Sequence, residues 1–392
     1  MKKNPWLVLI AVYLVSIGIV MAQFKVPPIM PVIIGEFQLD MVSAGWLMSI
    51  FSVTAVILAF PAALVLKKLG PKVSGLVSIG CAILGSFLGY LAPNFQVLML
   101  SRIIEGVGLG LIAVIAPSVI AMWFPPEKRG LPMGIWASWV PCGISIIFAL
   151  APNLAEAYGR QSLWLFTAVF AIIAFILYAL FVSNPEGREE INEQSSVFEP
   201  RLADGLKYSG VWILAFTFFL FNIGVQSFNN WAPTYMIEVL HVEPPMAGYY
   251  MSYQTIISII GAVIAGWCID RVQNKKMFLT IVFVVIGAIW LFAFNLSTNI
   301  ILPYMTVFGI CTIFAPSLIF TMAPRTVPSL AYAGIAMACA NFGQNLGNLV
   351  APPAIGGIIQ NAGWLTASWV IGGAGFLAAI AVLFYKSADS LR

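Results

Sequence analysis

The chain has 392 residues, 61% of them hydrophobic and only 9% charged, and its mean hydropathy is +0.96. Soluble domains carry roughly 45–50% apolar and about 25% charged residues, so a water-solvated fold is excluded. The formal net charge of +4 arises from 19 Lys and Arg scattered in ones, twos and threes, which leaves no basic face for nucleic acid. Cys81, Cys142, Cys268, Cys311 and Cys339 lie in apolar runs without C-x-x-C spacing, so neither a disulfide framework nor a thiolate metal site is expected. The lipid bilayer is the expected partner.

A helix needs about 20 apolar residues to cross the hydrocarbon, and only a helix or closed barrel satisfies its own backbone there. Twelve such runs follow in chain order, near 6–30, 42–66, 73–92, 96–122, 131–151, 162–183, 211–237, 246–268, 277–295, 299–322, 331–358 and 364–385. The first carries Gln23, Lys25 and the Pro27-Pro28 pair, the fourth Arg102 and Glu105, and the fifth Trp136 and Trp139. The seventh holds Asn222, Gln226, Asn229 and Asn230 at helical spacing, the eighth Tyr253 and Gln254, and the eleventh Asn341, Gln344, Asn345 and Asn348. The strongly charged stretch 184–208 is too short and polar to fold by itself and reads as a linker.

With the N-terminus inside, one side of the membrane holds Lys2, Lys3, Lys67, Lys68, Lys72, Lys128, Arg129, Arg188, Arg201, Lys207, Arg271, Lys275, Lys276, Arg325, Lys386 and Arg392. The outer loops hold only Arg160. That asymmetry predicts cytoplasmic termini. Trp6, Trp123, Trp212 and Trp267 fall at inner span ends, and Trp46, Trp164, Trp231 and Trp364 at outer ones, as expected of interfacial anchors.

Ala44-Gly45-Trp46-Leu47-Met48-Ser49 recurs as Ala247-Gly248-Tyr249-Tyr250-Met251-Ser252, shifted by 203 residues (247 minus 44). Ala116-Pro117-Ser118 recurs as Ala315-Pro316-Ser317, shifted by 199 (315 minus 116). The expected architecture is therefore an all-α membrane protein of 12 transmembrane helices in two parallel six-helix repeats. The bundles are placed at 1–185 and 209–392, with a cytoplasmic linker at 186–208.

Three local signatures give a family resemblance across the whole chain. After the second span, Ala63-Leu64-Val65-Leu66-Lys67-Lys68-Leu69-Gly70-Pro71-Lys72 is similar to a G-x-L-a-D-r-x-G-r-k loop, with Lys67 where the acid should stand. Its counterpart, Gly266-Trp267-Cys268-Ile269-Asp270-Arg271-Val272-Gln273-Asn274-Lys275, keeps the acid and has Gln273 for the second glycine. Ser101-Arg102-Ile103-Ile104-Glu105-Gly106-Val107-Gly108-Leu109-Gly110 resembles an R-x-x-q-G-x-G motif. The chain thus resembles the major facilitator superfamily of secondary transporters. Pro126-Glu127-Lys128-Arg129-Gly130-Leu131-Pro132-Met133-Gly134 is similar to a common short connection of that superfamily. Trp231-Ala232-Pro233-Thr234-Tyr235 resembles the anion:cation symporter and cyanate or nitrate permease branches, and Lys25 beside its prolines the monocarboxylate branch.

Intramembrane charges are functional candidates because each costs about 2.5–3.5 kcal/mol or more unless paired or wet. Lys25 either snorkels to the outer headgroups or faces a cavity to receive an anion. Arg102 and Glu105, three apart, share one helical face as an ion pair or as ligand- and proton-handling groups. The glycines at 106, 108 and 110 allow close helix contact; with no preceding strand they are no dinucleotide motif. Gln23, Lys25, Arg102, Trp136, Asn222, Gln226, Tyr253, Asn341 and Asn345 are the expected substrate contacts. Glu105 is the expected proton site, and Asp270 with Arg271 a cytoplasmic latch. The expected protein is a monomeric carrier of the cell (inner) membrane. It moves a small organic or inorganic anion by alternating access, coupled to protons, or works as an exchanger, a facilitator or a drug:proton antiporter. No cofactor, no metal and no enzymatic constellation is expected, His241 standing alone in a loop.

Overall fold

A computed structural model describes residues 4–58, 61–125, 128–183, 206–328 and 332–386. Lys2, Lys3, Pro126, Glu127, Arg188, Arg201 and Arg392 lie outside the described residues, as does the expected linker up to residue 205. The described residues are helical throughout. In order they form α1 (Pro5–Phe24), α2 (Met30–Phe37), α3 (Met41–Leu58), α4 (Pro61–Tyr90), α5 (Phe95–Trp123), α6 (Gly130–Ala137), α7 (Trp139–Tyr158) and α8 (Gln161–Phe181). These are followed by α9 (Ser209–Glu238), α10 (Pro244–Arg271), α11 (Lys275–Trp290), α12 (Ile301–Thr312), α13 (Phe314–Met322) and α14 (Ala333–Leu383).

Ten of these helices or helical runs are long and apolar enough to cross a bilayer. The 51-residue α14 breaks at Gly363 (φ 82°, ψ 170°), so it supplies two crossings, and α11, at 16 residues, is a shorter apolar helix. Ten plus one plus one gives the twelve expected from hydropathy. The short helices are pieces of spans interrupted by proline or glycine: a 3₁₀ turn at Pro27–Ile29 separates α1 from α2.

The chain forms two compact units, one of Met1–Glu186 with Met236–Thr255 and one of Gly187–Tyr235 with Ile256–Arg392. The expected limits, 1–185 and 209–392, differ from this grouping in the segment Met236–Thr255. The physical reason is the small-residue motif already noted in the repeat. A Cβ at Gly248 would collide with the Phe148 carbonyl and lie 2.9 Å from Pro152 Cγ, so only glycine permits this approach of α10 to α7. Ser252 Oγ also donates to the Ser145 carbonyl at 2.8 Å.

In the first unit α1 packs on α5, α7 and α8, and α4 packs on α5 and α8. The glycines of α5 act as expected. Gly106 abuts the Phe51 carbonyl and Thr54 of α3, Gly110 abuts Leu58 of α3, and a Cβ at Gly108 would stand 2.9 Å from the Ser78 carbonyl of α4. Ser78 Oγ returns a hydrogen bond to the Gly108 carbonyl at 2.9 Å. In the second unit α11 packs on α14. Two of the expected anchors are core residues instead: Trp164 and Trp231 are fully buried, whereas Trp6, Trp46, Trp212 and Trp267 are exposed.

Candidate functional site

The break after α1 creates the site. Pro27 has no N–H, so the Gln23 carbonyl four residues earlier lacks a helical donor, and Ala22 is also among the last four carbonyls of the helix. Arg102 of α5 fills these vacancies, its Nη2 donating to the Gln23 carbonyl at 2.7 Å and its Nη1 to the Ala22 carbonyl. The guanidinium lies 4.6 Å from the Phe51 ring centre. Arg102 Nη1 also donates to Glu105 Oε2 at 2.7 Å, completing the i,i+3 pair expected from spacing.

Lys25, the residue following α1, turns into the same space. Its Nζ donates to Glu105 Oε1 at 2.6 Å, to Thr167 Oγ1 of α8 at 3.0 Å and to Ser86 Oγ of α4 at 3.3 Å. Three acceptors match the three protons of an ammonium. Ser86 Oγ donates to Glu105 Oε1 at 2.7 Å, and the Lys25 ammonium sits 4.6 Å from the Trp164 ring centre. Lys25, Arg102 and Glu105 are each 0% exposed. Lys25 therefore neither snorkels to headgroups nor lies open to a cavity here: the carboxylate of Glu105 holds it. Close approach of α4 makes this possible, because a Cβ at Gly85 would be 2.5 Å from Glu105 Cγ and 2.7 Å from the Ser101 carbonyl.

A separate ion pair stands beside this cluster. Arg160, between α7 and α8, grips Glu36 of α2 with both arms, Nε to Oε2 at 2.8 Å and Nη2 to Oε1 at 3.0 Å. It also donates to the Gly89 and Ala92 carbonyls, and lies 5.3 Å from the ring of the Trp164 that Lys25 contacts. In the sequence Arg160 enters only the charge count, and its standing as the sole expected outer-loop cation is the one signal of this role. Ser86 and Thr167 were also missed, since a hydroxyl in an apolar run gives no pattern.

The other expected contacts are distributed. On α1 and α6, Trp136 Nε1 donates to Ser16 Oγ at 3.1 Å while its ring stacks on Trp139 at 5.6 Å. Next to them Tyr13, unnoticed in the sequence, pairs its hydroxyl with Ser138 Oγ at 2.7 Å and donates to Cys142 Sγ at 3.1 Å. Gln23 contributes its backbone to the buried cluster, its side chain being half-buried. In the second unit Asn222 and Asn230 spend their amide donors on the Phe218 and Gln226 carbonyls of their own helix. Gln226 Oε1 and Asn348 Oδ1 are buried acceptors with no donor among the described residues. Their helices meet where a Cβ at Gly347 would be 2.6 Å from Asn222 Cβ. Asn341 is exposed; Asn345 and, in the first unit, Tyr253 are half-buried.

Asp270 and Arg271 are both exposed. Arg271 stacks at 3.9 Å on Trp267 and donates to the Trp267 carbonyl, and among the described residues Asp270 forms no ion pair. The arginine folds back on its own helix, where the indole face offers a cation–π contact.

The sequence profile of the Major Facilitator Superfamily matches residues 12–336. The hexuronate transporter of Bacillus subtilis (strain 168) is 24% identical over 253 residues, covering 62% of this chain and 60% of that protein. The cyanate transport protein of Escherichia coli (strain K12) is 26% identical over 260 residues, covering 62% and 65%. The chain thus spans less than two thirds of the length of either relative. The crystal structure of a D-xylose-proton symporter superposes with a TM-score of 0.76 at 14% identity, covering 97% of both chains; at that identity the likeness is one of fold.

Proposed function

The chain belongs to the Major Facilitator Superfamily and is a membrane-integral secondary transporter, not an enzyme, and on that premise we propose that it carries a small organic or inorganic anion across the membrane together with protons. The observation that carries this reading is the fully buried cluster of Lys25, Glu105 and Arg102. Two cations around one carboxylate give the first unit a positive interior, which favours an anion and disfavours a lipophilic cation. Relatives named for hexuronate and cyanate support the same sign of charge.

Glu105 is the pivot of coupling, because its two oxygens hold Lys25 and Arg102 apart and an anion competes with it for either one. Such competition is a coupling free energy, and it acts equally in both directions. The neutral residues Gln23, Trp136, Asn222, Gln226, Tyr253, Asn341 and Asn345 supply ligand contacts. The donorless acceptors Gln226 Oε1 and Asn348 Oδ1 favour a substrate bearing hydroxyl or N–H groups, since a buried acceptor left alone costs about 1–3 kcal/mol. Alternating access moves residues 1–185 against 209–392 about the midplane, with both termini cytoplasmic.

Purified protein in liposomes should accumulate one of radiolabelled D-glucuronate, lactate or cyanate when the outside is made acidic, and Glu105→Gln should abolish that accumulation. Thermal-shift screening of the same anions beside lipophilic cations gives an independent measure. Stabilisation by cations alone, or accumulation that ignores the proton gradient, would overturn the proposal.

A further inference from the structure

A groove opens in the first unit where α1 begins and α5 ends, at the end of these helices that the positive-inside rule assigns to the cytoplasm. Its volume is about 560 Å³, and its walls are Trp6, Trp123, Phe124, Lys128 and Leu131 together with prolines and a glycine. The aromatic wall is anchored: the Trp6 ring meets Phe124 edge-on at 5.4 Å, and Phe124 is buried against Leu9 and Ile120. Leu131 is 65% exposed. From Trp6 an exposed apolar stripe continues along α1 through Leu7 and Ile10, which lie three and four residues apart on one helical face.

The polar side chains lining the groove are donors only. Lys128 brings an ammonium and Trp6 and Trp123 bring indole N–H groups, while no described residue of the wall brings a carboxylate. The indole nitrogen of Trp123 is buried with no acceptor among the described residues. Arg129, next in the chain, is committed elsewhere: its Nε and Nη2 donate to the Phe124 and Ala121 carbonyls at 2.8 and 2.7 Å and close the end of α5. Lys128 is exposed and forms no ion pair among the described residues. Its backbone N–H donates to the Pro125 carbonyl at 2.9 Å, which fixes the turn that carries it.

We propose that this groove binds one anionic phospholipid, its phosphate against Lys128 and one acyl chain along Trp6, Leu7 and Ile10. A free anion has no use for the apolar wall, and hydrocarbon alone leaves the ammonium without a partner. A molecule that carries both a phosphate and a chain answers both. The depth agrees, because exposed tryptophans at span ends sit at the level of the headgroups. On the cytoplasmic side the anionic leaflet attracts basic residues within a Debye length. Headgroup charge also matters: choline brings a cation for which the described wall holds no carboxylate, whereas phosphatidylglycerol brings none.

Native mass spectra test this on the detergent-purified protein, offered phosphatidylglycerol and phosphatidylcholine of identical chains in equal amounts. One phosphatidylglycerol should be retained in preference. Lys128→Gln should lower that retention about fivefold, the effect of one basic residue near an anionic surface. Lys128→Arg should keep it, and Lys276→Gln, an equal change of charge outside the groove, should leave it unaltered. Tryptophan fluorescence decides independently of the Lys128 variants. Phosphatidylglycerol brominated in its chains should quench the wild type more than Trp6→Phe, and more than brominated phosphatidylcholine does. Equal retention of the two lipids, equal losses in Lys128→Gln and Lys276→Gln, or displacement of the lipid by millimolar inorganic phosphate would overturn the proposal.

Discussion

Glu105→Gln and Lys25→Met should differ sharply in stability although each removes the same 2.6 Å contact. The amide fills the volume of the carboxylate and can keep the Ser86 bond, but it raises the charge of the buried cluster from +1 to +2. Removing one partner of a buried ionic group costs about 3–5 kcal/mol. Lys25→Met lowers the cluster to zero. It leaves Glu105 with Arg102 and Ser86, and lets Ser86 and Thr167, already 3.2 Å apart, satisfy each other. Its cost is confined to lost hydrogen bonds to a charged group, roughly 1.5–3 kcal/mol, partly offset by the added apolar burial. Thermal unfolding of both variants in one detergent should therefore place Lys25→Met near wild type and Glu105→Gln well below it. Equal melting temperatures, or the reverse order, would refute the charge argument.

Gly85→Val should separate α4 from α5 at the cluster, because the first added carbon already lies 2.5 Å from Glu105 Cγ; a loss of about 1–3 kcal/mol in thermal unfolding, with loss of anion uptake, is expected. Arg160→Lys cannot reproduce the two-armed grip on Glu36 together with the Gly89 and Ala92 carbonyls. It should lower the melting temperature, and adding Glu36→Gln should cost little more, a double-mutant cycle reading the coupling. Asp40 caps α3 by accepting from the Ser43 N–H at 2.7 Å, so Asp40→Ala should cost about 0.5–2 kcal/mol, seen as faster amide exchange at the start of α3. The same N–H holds the Asp40 carboxyl below the usual carboxylate range. That stabilisation is present above about pH 4 and is lost as pH falls through the lowered folded value, so the variant's deficit should vanish in acid.

Hydropathy made the spans legible because hydrocarbon imposes one rule on every stretch of backbone, and the i,i+3 spacing of Arg102 and Glu105 made their pairing legible too. The partner of Lys25 was not: it lies 80 residues away, on a helix whose approach depends on Gly85 of a third helix. The role of Pro27-Pro28 was half visible. The prolines promised a distorted turn, but the consequence fell on the backbone carbonyls of Ala22 and Gln23 rather than on the Gln23 side chain. Trp164 and Trp231 misled, since an aromatic near a span end reads alike whether it faces headgroups or the core. The same ambiguity holds for Asp270 and Arg271, whose spacing allows a latch while the Trp267 indole offers the arginine a nearer partner.

The basic residues divide in a way that joins topology to mechanism. Sixteen of the 19 are the residues that the positive-inside rule assigns to one side in the sequence; the three left over are Lys25, Arg102 and Arg160. All three are buried, and all three are paired with a carboxylate, two with Glu105 and one with Glu36. A cation that topology does not need persists in so apolar a chain only where a partner offsets its desolvation. Among the described residues, every buried ionised side chain lies in the first unit, while the buried polar groups of the second are neutral amides and hydroxyls. Among the described residues, compensation of buried charge by buried charge is therefore a property of the first unit. In the second, the buried acceptors Gln226 Oε1 and Asn348 Oδ1 have no donor among the described residues and carry no charge, so a hydrogen bond to either would leave that balance unaltered. On the proposed function, substitutions at Gln226 and Asn348 should change the order in which anions compete for uptake into liposomes, and substitutions at Lys25, Glu105 and Arg102 should change its dependence on the proton gradient.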